Sequence, residues 1–246
     1  MHGKILPNGF GDEDMGLYSR NRGKRGERLW CSFCREQGYD VHRTAQYRGN
    51  TGAAGDVEGL PRIHCEVKFV QKLNIREAMN QSIEDSYAAS VNRKVKRIER
   101  LKNLPGEYFL DSSLGNNDVE IPIVASKRNR DGWLVTMMFF DWCGLVRAFG
   151  GMDFVQLIRK TQKRFSVRKV LLEACVKAST KRPIALMYYR GNLQLVTMRA
   201  EDWFTLYREW EAGMDLKARG GKNNDETRSG NENPEGVSMA SQGEMP

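Results

Sequence analysis

Two stretches of this chain repeat each other without a gap. PIVASKRNRDGWLVTMMFFDWCGLVR begins at Pro122 and PIALMYYRGNLQLVTMRAEDWFTLYR begins at Pro183. Pro-Ile, Leu-Val-Thr-Met, Asp-Trp, a Leu and an Arg coincide at one offset, which speaks against chance similarity. Each copy reads as two strands around a polar turn followed by a helix, so the fold must house one strand–strand–helix unit twice. The preceding stretches match as well: LNIREAMNQSIEDS and FSVRKVLLEACVKA are both amphipathic helices with a similar start.

The remaining elements follow from periodicity. From Arg25 to Gln37 the residues Leu29, Trp30, Phe33 and Cys34 recur at helical spacing, with Gly38 where a C-cap belongs. YDVHRTAQYRG alternates like a strand, NTGAAG is a loop, and Gly59–Pro61 makes a turn into RIHCEVKFV. In that strand Ile63, Cys65 and Val67 share one face, and His64, Glu66 and Lys68 share the other. A long helix follows, with Asn74 as its N-cap. The order is helix, three strands, helix, two strands, helix, which predicts an α/β fold: a mixed sheet flanked by helices. The boundaries expected are a flexible arm over 1–20 and a core over 21–150 with a basic helical insertion near 87–121. A second partial repeat over 151–212 packs on the core, and 213–246 forms a disordered tail, since no aromatic residue follows Asp215.

Formal net charge is +8 and the pI is about 9.3, which favours a polyanionic partner, most often nucleic acid. No apolar run approaches the roughly 20 residues a membrane span needs. MHGKILPNGFGDEDMG has no apolar signal core, so a cytoplasmic location is the expectation. Five cysteines, an odd number, argue against a disulfide framework. Cys31 and Cys34 form a Cys-x-x-Cys, but no second ligand pair is spaced to complete a zinc site.

The segment GDVEGLPRIHCEVKF concentrates the chemistry. Two antiparallel strands joined by a short turn bring Asp56 and Glu66 side by side. Paired carboxylates suit a hard divalent cation such as Mg²⁺. Lys68 lies two residues from Glu66 and so shares its face. Its ammonium is suited to holding an attacking water or offsetting charge on a phosphorane. His2, His42 and His64 are too scattered for a histidine-based nuclease site.

Asp56 followed by Glu66-x-Lys68 is the pattern of the PD-(D/E)xK nuclease superfamily. GKRGERLWCSFCREQGYDVHR and GDVEGLPRIHCEVK together resemble archaeal-type Holliday junction resolvases and related phage-encoded putative endonucleases. The phage-type relatives are also similar in KLNIREAMNQSIEDS and PIVASKRNRDGWLVTM…DW. The resemblance covers roughly residues 20–147, and 183–210 again. It implies a restriction-endonuclease-like fold and a metal-dependent endonuclease acting on branched DNA. It carries over Glu27 on the first helix, Asp56, Glu66, Lys68 and Gln81 as the catalytic set. Glu27, Asp56, Glu66 and the Val67 carbonyl would be the ligands of Mg²⁺, for which Mn²⁺ can substitute. Arg22, Lys24, Arg25, Arg28, Arg43 and Arg48 are the candidate phosphate contacts. It further implies a homodimer, no membrane association, and action in the cytoplasm, that of the bacterial host for the phage-encoded relatives. Alternatives within reach of the same residues are a nuclease for ends, flaps or specific sites, and a non-catalytic DNA-binding recombination accessory protein. The chain departs from such resolvases in its greater length and in the extra segment between Ser86 and Pro122. The second copy has no counterpart of Asp56, and near Lys160 it reads LIRK with no acidic residue before the lysine. One catalytic cluster per chain is expected.

Overall fold

Hairpin, crossover and repeat are assembled into a single sheet. The structure, a computed structural model, describes residues 12–44, 54–102, 120–151, 155–160, 166–189 and 193–228. The elements in chain order are α1 (Asp12–Glu36), β1 (His42–Arg43), β2 (Val57–Glu58), β3 (Ile63–Phe69), α2 (Ile75–Lys102), β4 (Ile121–Lys127), β5 (Leu134–Met138), α3 (Phe139–Ala148), β6 (Val155–Lys160), α4 (Val167–Ala178), β7 (Arg182–Tyr188), β8 (Gln194–Arg199) and α5 (Ala200–Arg228). The eight strands lie in the order β1-β2-β3-β4-β5-β8-β7-β6. β3 pairs parallel with β4 and β6 with β7; every other neighbouring pair is antiparallel. The expected mixed α/β sheet is therefore present.

The register shows what the repeat is for. Pro122 and Pro183 are 61 positions apart, and so are Thr136 and Thr197. Thr136 pairs directly with Thr197 across the β5–β8 seam, with Val135 opposite Met198 and Met137 opposite Val196. Each residue thus faces its own repeat partner or that partner's mirror position, which is the signature of a two-fold interface. Here the two-fold relation lies inside one chain. It reaches past the strand–strand–helix unit: Cys65 pairs with Ile123 just as Leu157 pairs with Ile184. α2 and α4 both begin 11 residues after the position pairing with Pro122 or Pro183, which equates β3–α2 with β6–α4. β6, β7 and β8 of the 151–212 segment continue the same sheet and supply three of its eight strands.

Helices cover both faces. α1, α3 and α5 share one apolar cluster that contains Trp30, Trp142, Trp203, Phe204 and Tyr207, all fully buried, together with Cys65 and Val67 of β3. The repeat-equivalent Trp142 and Trp203 both sit in it. α2 covers the other face, packing Ile75, Ala78 and Met79 near Val124, while Val170 and Leu171 of α4 pack with Leu134 and Ala185. Truncating one of these tryptophans to alanine costs roughly 3–5 kcal/mol.

Two boundaries differ from expectation. α1 begins at Asp12, well before Arg25, so residues 12–20 of the predicted arm are helical. α5 continues to Arg228, so the predicted tail is helical over 213–228. No proline interrupts that stretch before Pro234, and the helix simply runs on from its packed part. Residues 1–11 and 229–246 lie outside the described residues, as does most of the expected insertion from 103 to 119. The part of the insertion that is described, 87–102, is the continuation of α2.

Candidate active site

The β2–β3 hairpin is built by a turn that needs Gly59. Its φ is +112°, and a Cβ there would stand 2.1 Å from the Asp40 carbonyl oxygen. β2 then lies antiparallel to β3 with Val57 opposite Cys65. Asp56 precedes β2, and its N–H donates to the Cys65 carbonyl at 3.0 Å. Its carboxylate Oδ2 accepts the Val67 N–H at 2.7 Å. In an extended strand the N–H and C=O of one residue point the same way. The Val67 carbonyl therefore faces the Asp56 side of β3.

Glu66 and Lys68 lie on the α2 face of β3. Glu66 is only 5% exposed. The Lys68 ammonium donates to Glu66 Oε1 and, at 3.2 Å, to Gln81 Oε1 on α2. Gln81 sits on the exposed side of its helix, so the contact closes the outer rim. Glu27, on α1, accepts from Arg43 Nε at 2.5 Å. α1 is held close to β3 by Gly26: a Cβ there would meet the Phe69 Cβ at 2.4 Å.

Asp56 records how these groups converge. Its carboxyl is pushed up to about 7, first by burial and then by repulsion from Glu66. The Val67 N–H opposes the rise, Glu27 adds to it, and Lys68 opposes it. Five residues from four segments, Glu27, Asp56, Glu66, Lys68 and Gln81, are thus linked by hydrogen bond or charge. A carboxyl held near 7 between two other carboxylates is a group that a cation would ionise.

Among the described residues, no three His, Cys, Asp or Glu side chains stand together as a ready metal cage. In this arrangement Lys68 is bonded to Glu66 and Arg43 to Glu27. The donor set nevertheless matches a hard cation in kind: carboxylate oxygens from Asp56 and Glu66 and the Val67 carbonyl, all oxygen.

The second repeat has a different residue pattern at the matching strand positions. The register of β6 on β7 puts Ile158 where β3 has Glu66, and Lys160 where it has Lys68. Among the described residues β6 is the last strand on its side, and none of them forms a strand where β2 leads out of Asp56.

The candidate phosphate contacts divide. Lys24 is half-buried, while Arg25 and Arg28 are exposed on α1. Arg22 donates from Nε to the Phe69 carbonyl at 2.9 Å and stacks over the Phe69 ring, so much of its fork serves the α1–β3 contact. Arg43 is engaged with Glu27. Arg48 lies outside the described residues. His64 is buried, with Nδ1 3.8 Å from a Glu120 oxygen. Cys31 and Cys34 are buried thiols whose ionisation burial opposes, which suits packing and not redox work. The Arg43–Glu27 pair is invisible in the sequence because it joins α1 to β1 through tertiary packing.

Compared with known protein families, with characterised proteins and with solved structures, the chain matches none. Among the described residues, no helix is long and apolar enough to cross a membrane.

Proposed function

We propose that the chain is a metal-dependent DNA endonuclease with a restriction-endonuclease-like core, acting on branched DNA such as four-way junctions. The observation that carries this is the raised, crowded Asp56 beside Glu66 and Lys68 at one strand edge of a strongly basic protein. Carboxylates that face DNA phosphates repel them unless a cation intervenes. Asp56, Glu66 and the Val67 carbonyl would hold Mg²⁺ or Mn²⁺, with Glu27 contributing directly or through water. When bound, the metal supplies Lewis-acid activation of the phosphate and a lowered pKa for its water. Lys68 leaves Glu66 to position the attacking water and to offset charge on the phosphorane, and Gln81 steadies its ammonium. Water oxygen forms the new bond to phosphorus and releases a proton to solvent, the bond to the leaving oxygen breaks, and that oxygen takes up a proton from solvent.

Each chain carries one cluster, so paired incisions in a junction require two chains, and a homodimer is part of the proposal. A second reading, a DNA-binding protein without turnover, draws support from the closed Lys68–Glu66 and Arg43–Glu27 pairs. Incubating the protein with labelled four-way junction, flap and linear duplex, with and without Mg²⁺, separates the two. Mg²⁺-dependent cleavage of the junction supports the nuclease. Tight binding with no cleavage of any substrate supports the second reading.

A further inference from the structure

A cleft of about 350 Å³ opens between the N-terminal ends of α2 and α4, on the face opposite the aromatic core. Its lining includes Lys72, Lys127, Arg128 and Arg168, and none of the described residues that line it is acidic. Lys72 is exposed, and Lys127, Arg128 and Arg168 are half-buried. The Lys127 ammonium itself lies over the Trp133 ring, 5.6 Å from its centroid, which fixes its position at the edge of the cleft. Arg168 pairs with Asp131 at 3.2 Å, the one ion pair seen at these four cations among the described residues. Burial pulls the proton affinity of Arg168 down, Asp131 opposes this, and the neighbouring Arg128 adds to the fall. Two guanidiniums are therefore crowded in a half-dry cleft, an arrangement that an anion relieves.

The backbone adds to the same field. Asn74 and Ser166, the residues preceding α2 and α4, both line the cleft. They stand at equivalent places in the internal two-fold arrangement. Asn74 accepts the Glu77 N–H with its side chain at 3.4 Å, whereas Ser166 makes no side-chain cap bond. The first N–H groups of α4 are thus left uncapped by side chains beside the four cations, with the positive end of the helix dipole behind them.

We infer that this cleft is a second nucleic-acid contact, separate from the Asp56 cluster, which binds backbone phosphates of a DNA strand. It rests on the DNA-binding part of the proposed function and not on its chemistry. It also involves the non-catalytic half of the chain in binding, because α4 supplies Arg168 and one of the two helix ends.

The test is equilibrium binding of a labelled DNA duplex to the full chain in EDTA, across a salt series. Lys72→Ala/Arg128→Ala is compared with Lys177→Ala/Lys181→Ala, an equal loss of charge at the far end of α4. The cleft pair should weaken binding about tenfold or more and lower the salt slope by about two, the value for two lost phosphate contacts. The control pair should shift affinity by less than about threefold and leave the slope in place. On the wild-type protein, which removes any dependence on folding of the variants, DNA should shield Lys72 and Lys127 from acetylation. Equal effects from the two pairs, or unshielded Lys72 and Lys127 on saturating DNA, would overturn the inference. A wild-type protein that binds DNA through the cleft but cuts nothing leaves the inference standing and removes the nuclease. One that binds and cuts normally with the cleft pair replaced removes only the cleft.

Discussion

Thr136 Oγ1 and Thr197 Oγ1 are 2.7 Å apart, hydrogen-bonded to each other at the centre of the sheet and buried. They are the same residue in the two repeats, meeting where the internal two-fold relation crosses the β5–β8 seam. Replacing one with valine keeps the shape but leaves the other hydroxyl buried without this partner. Thr136→Val or Thr197→Val should each cost about 1–3 kcal/mol in denaturant unfolding. The double variant should cost less than the sum, by about 1 kcal/mol, because the orphaned group is gone. Simple additivity would mean that the pair does not bind the halves together.

The proton affinity of Asp56 makes a separate prediction about stability without metal. Its carboxyl sits at about 7 in the folded chain, against about 3.9 unfolded. A raised value favours the folded state when the group is protonated. That contribution is complete below about pH 4 and is lost as the pH rises through about 7. Asp56→Asn removes the penalty, so at about pH 8 it should be more stable than wild type by about 1–3 kcal/mol, with the advantage vanishing toward about pH 4. Mg²⁺ should raise the melting temperature of wild type at the higher pH and leave the variant unchanged. A stability difference that stays flat with pH contradicts the crowded carboxyl.

Glu27 depends on the close approach of α1 to β3. Gly26→Ala puts a methyl 2.4 Å from the Phe69 Cβ, which neither backbone can easily yield. The variant should lose about 1–3 kcal/mol in thermal unfolding and shift the helix that carries Glu27. Gly23→Ala, one turn earlier, meets nothing nearer than a Glu27 carboxylate oxygen at 3.9 Å. It should be neutral or stabilising by about 0.5–1 kcal/mol. Similar losses at both positions would mean that α1 does not seat on Phe69.

Much of this is legible in the sequence because it depends on short-range geometry. The approach of Asp56 to β3 follows from hairpin registry, and Glu66 and Lys68 share a face because strand side chains alternate. The repeat at Pro122 and Pro183 is visible because it has no gap. Its upstream extension is harder to see: the longer α2 and the 103–119 stretch separate β3 from β4 by many more residues than separate β6 from β7, so one offset cannot align both parts. The seam at Thr136–Thr197 and the Arg43–Glu27 pair are contacts between distant segments, with no local pattern to announce them. The early start of α1 and the late end of α5 escape a periodicity reading because polar, glycine-bearing sequence is a weak signal when a helix is extended from a packed section.

Lys68 should act on the rate and not on metal affinity. Lys68→Ala should slow single-turnover cleavage by about a hundredfold or more, the scale of a lost positioned acid–base or electrostatic group. Gln81→Ala, which removes the 3.2 Å contact to its ammonium, should slow it by less. Calorimetric titration with Mg²⁺ should show near wild-type affinity for both. Loss of Mg²⁺ binding together with loss of folding in Lys68→Ala would make the lysine structural.

The most direct measurement is cleavage of a labelled four-way junction in Mg²⁺ by wild type, Asp56→Asn and Glu66→Gln, with binding followed in parallel. A metal held by the two carboxylates requires that wild type cuts, that both variants lose cleavage, and that both still bind the junction as tightly or more tightly, since negative charge near phosphate has been removed. Cleavage by either variant at the wild-type rate would contradict the site.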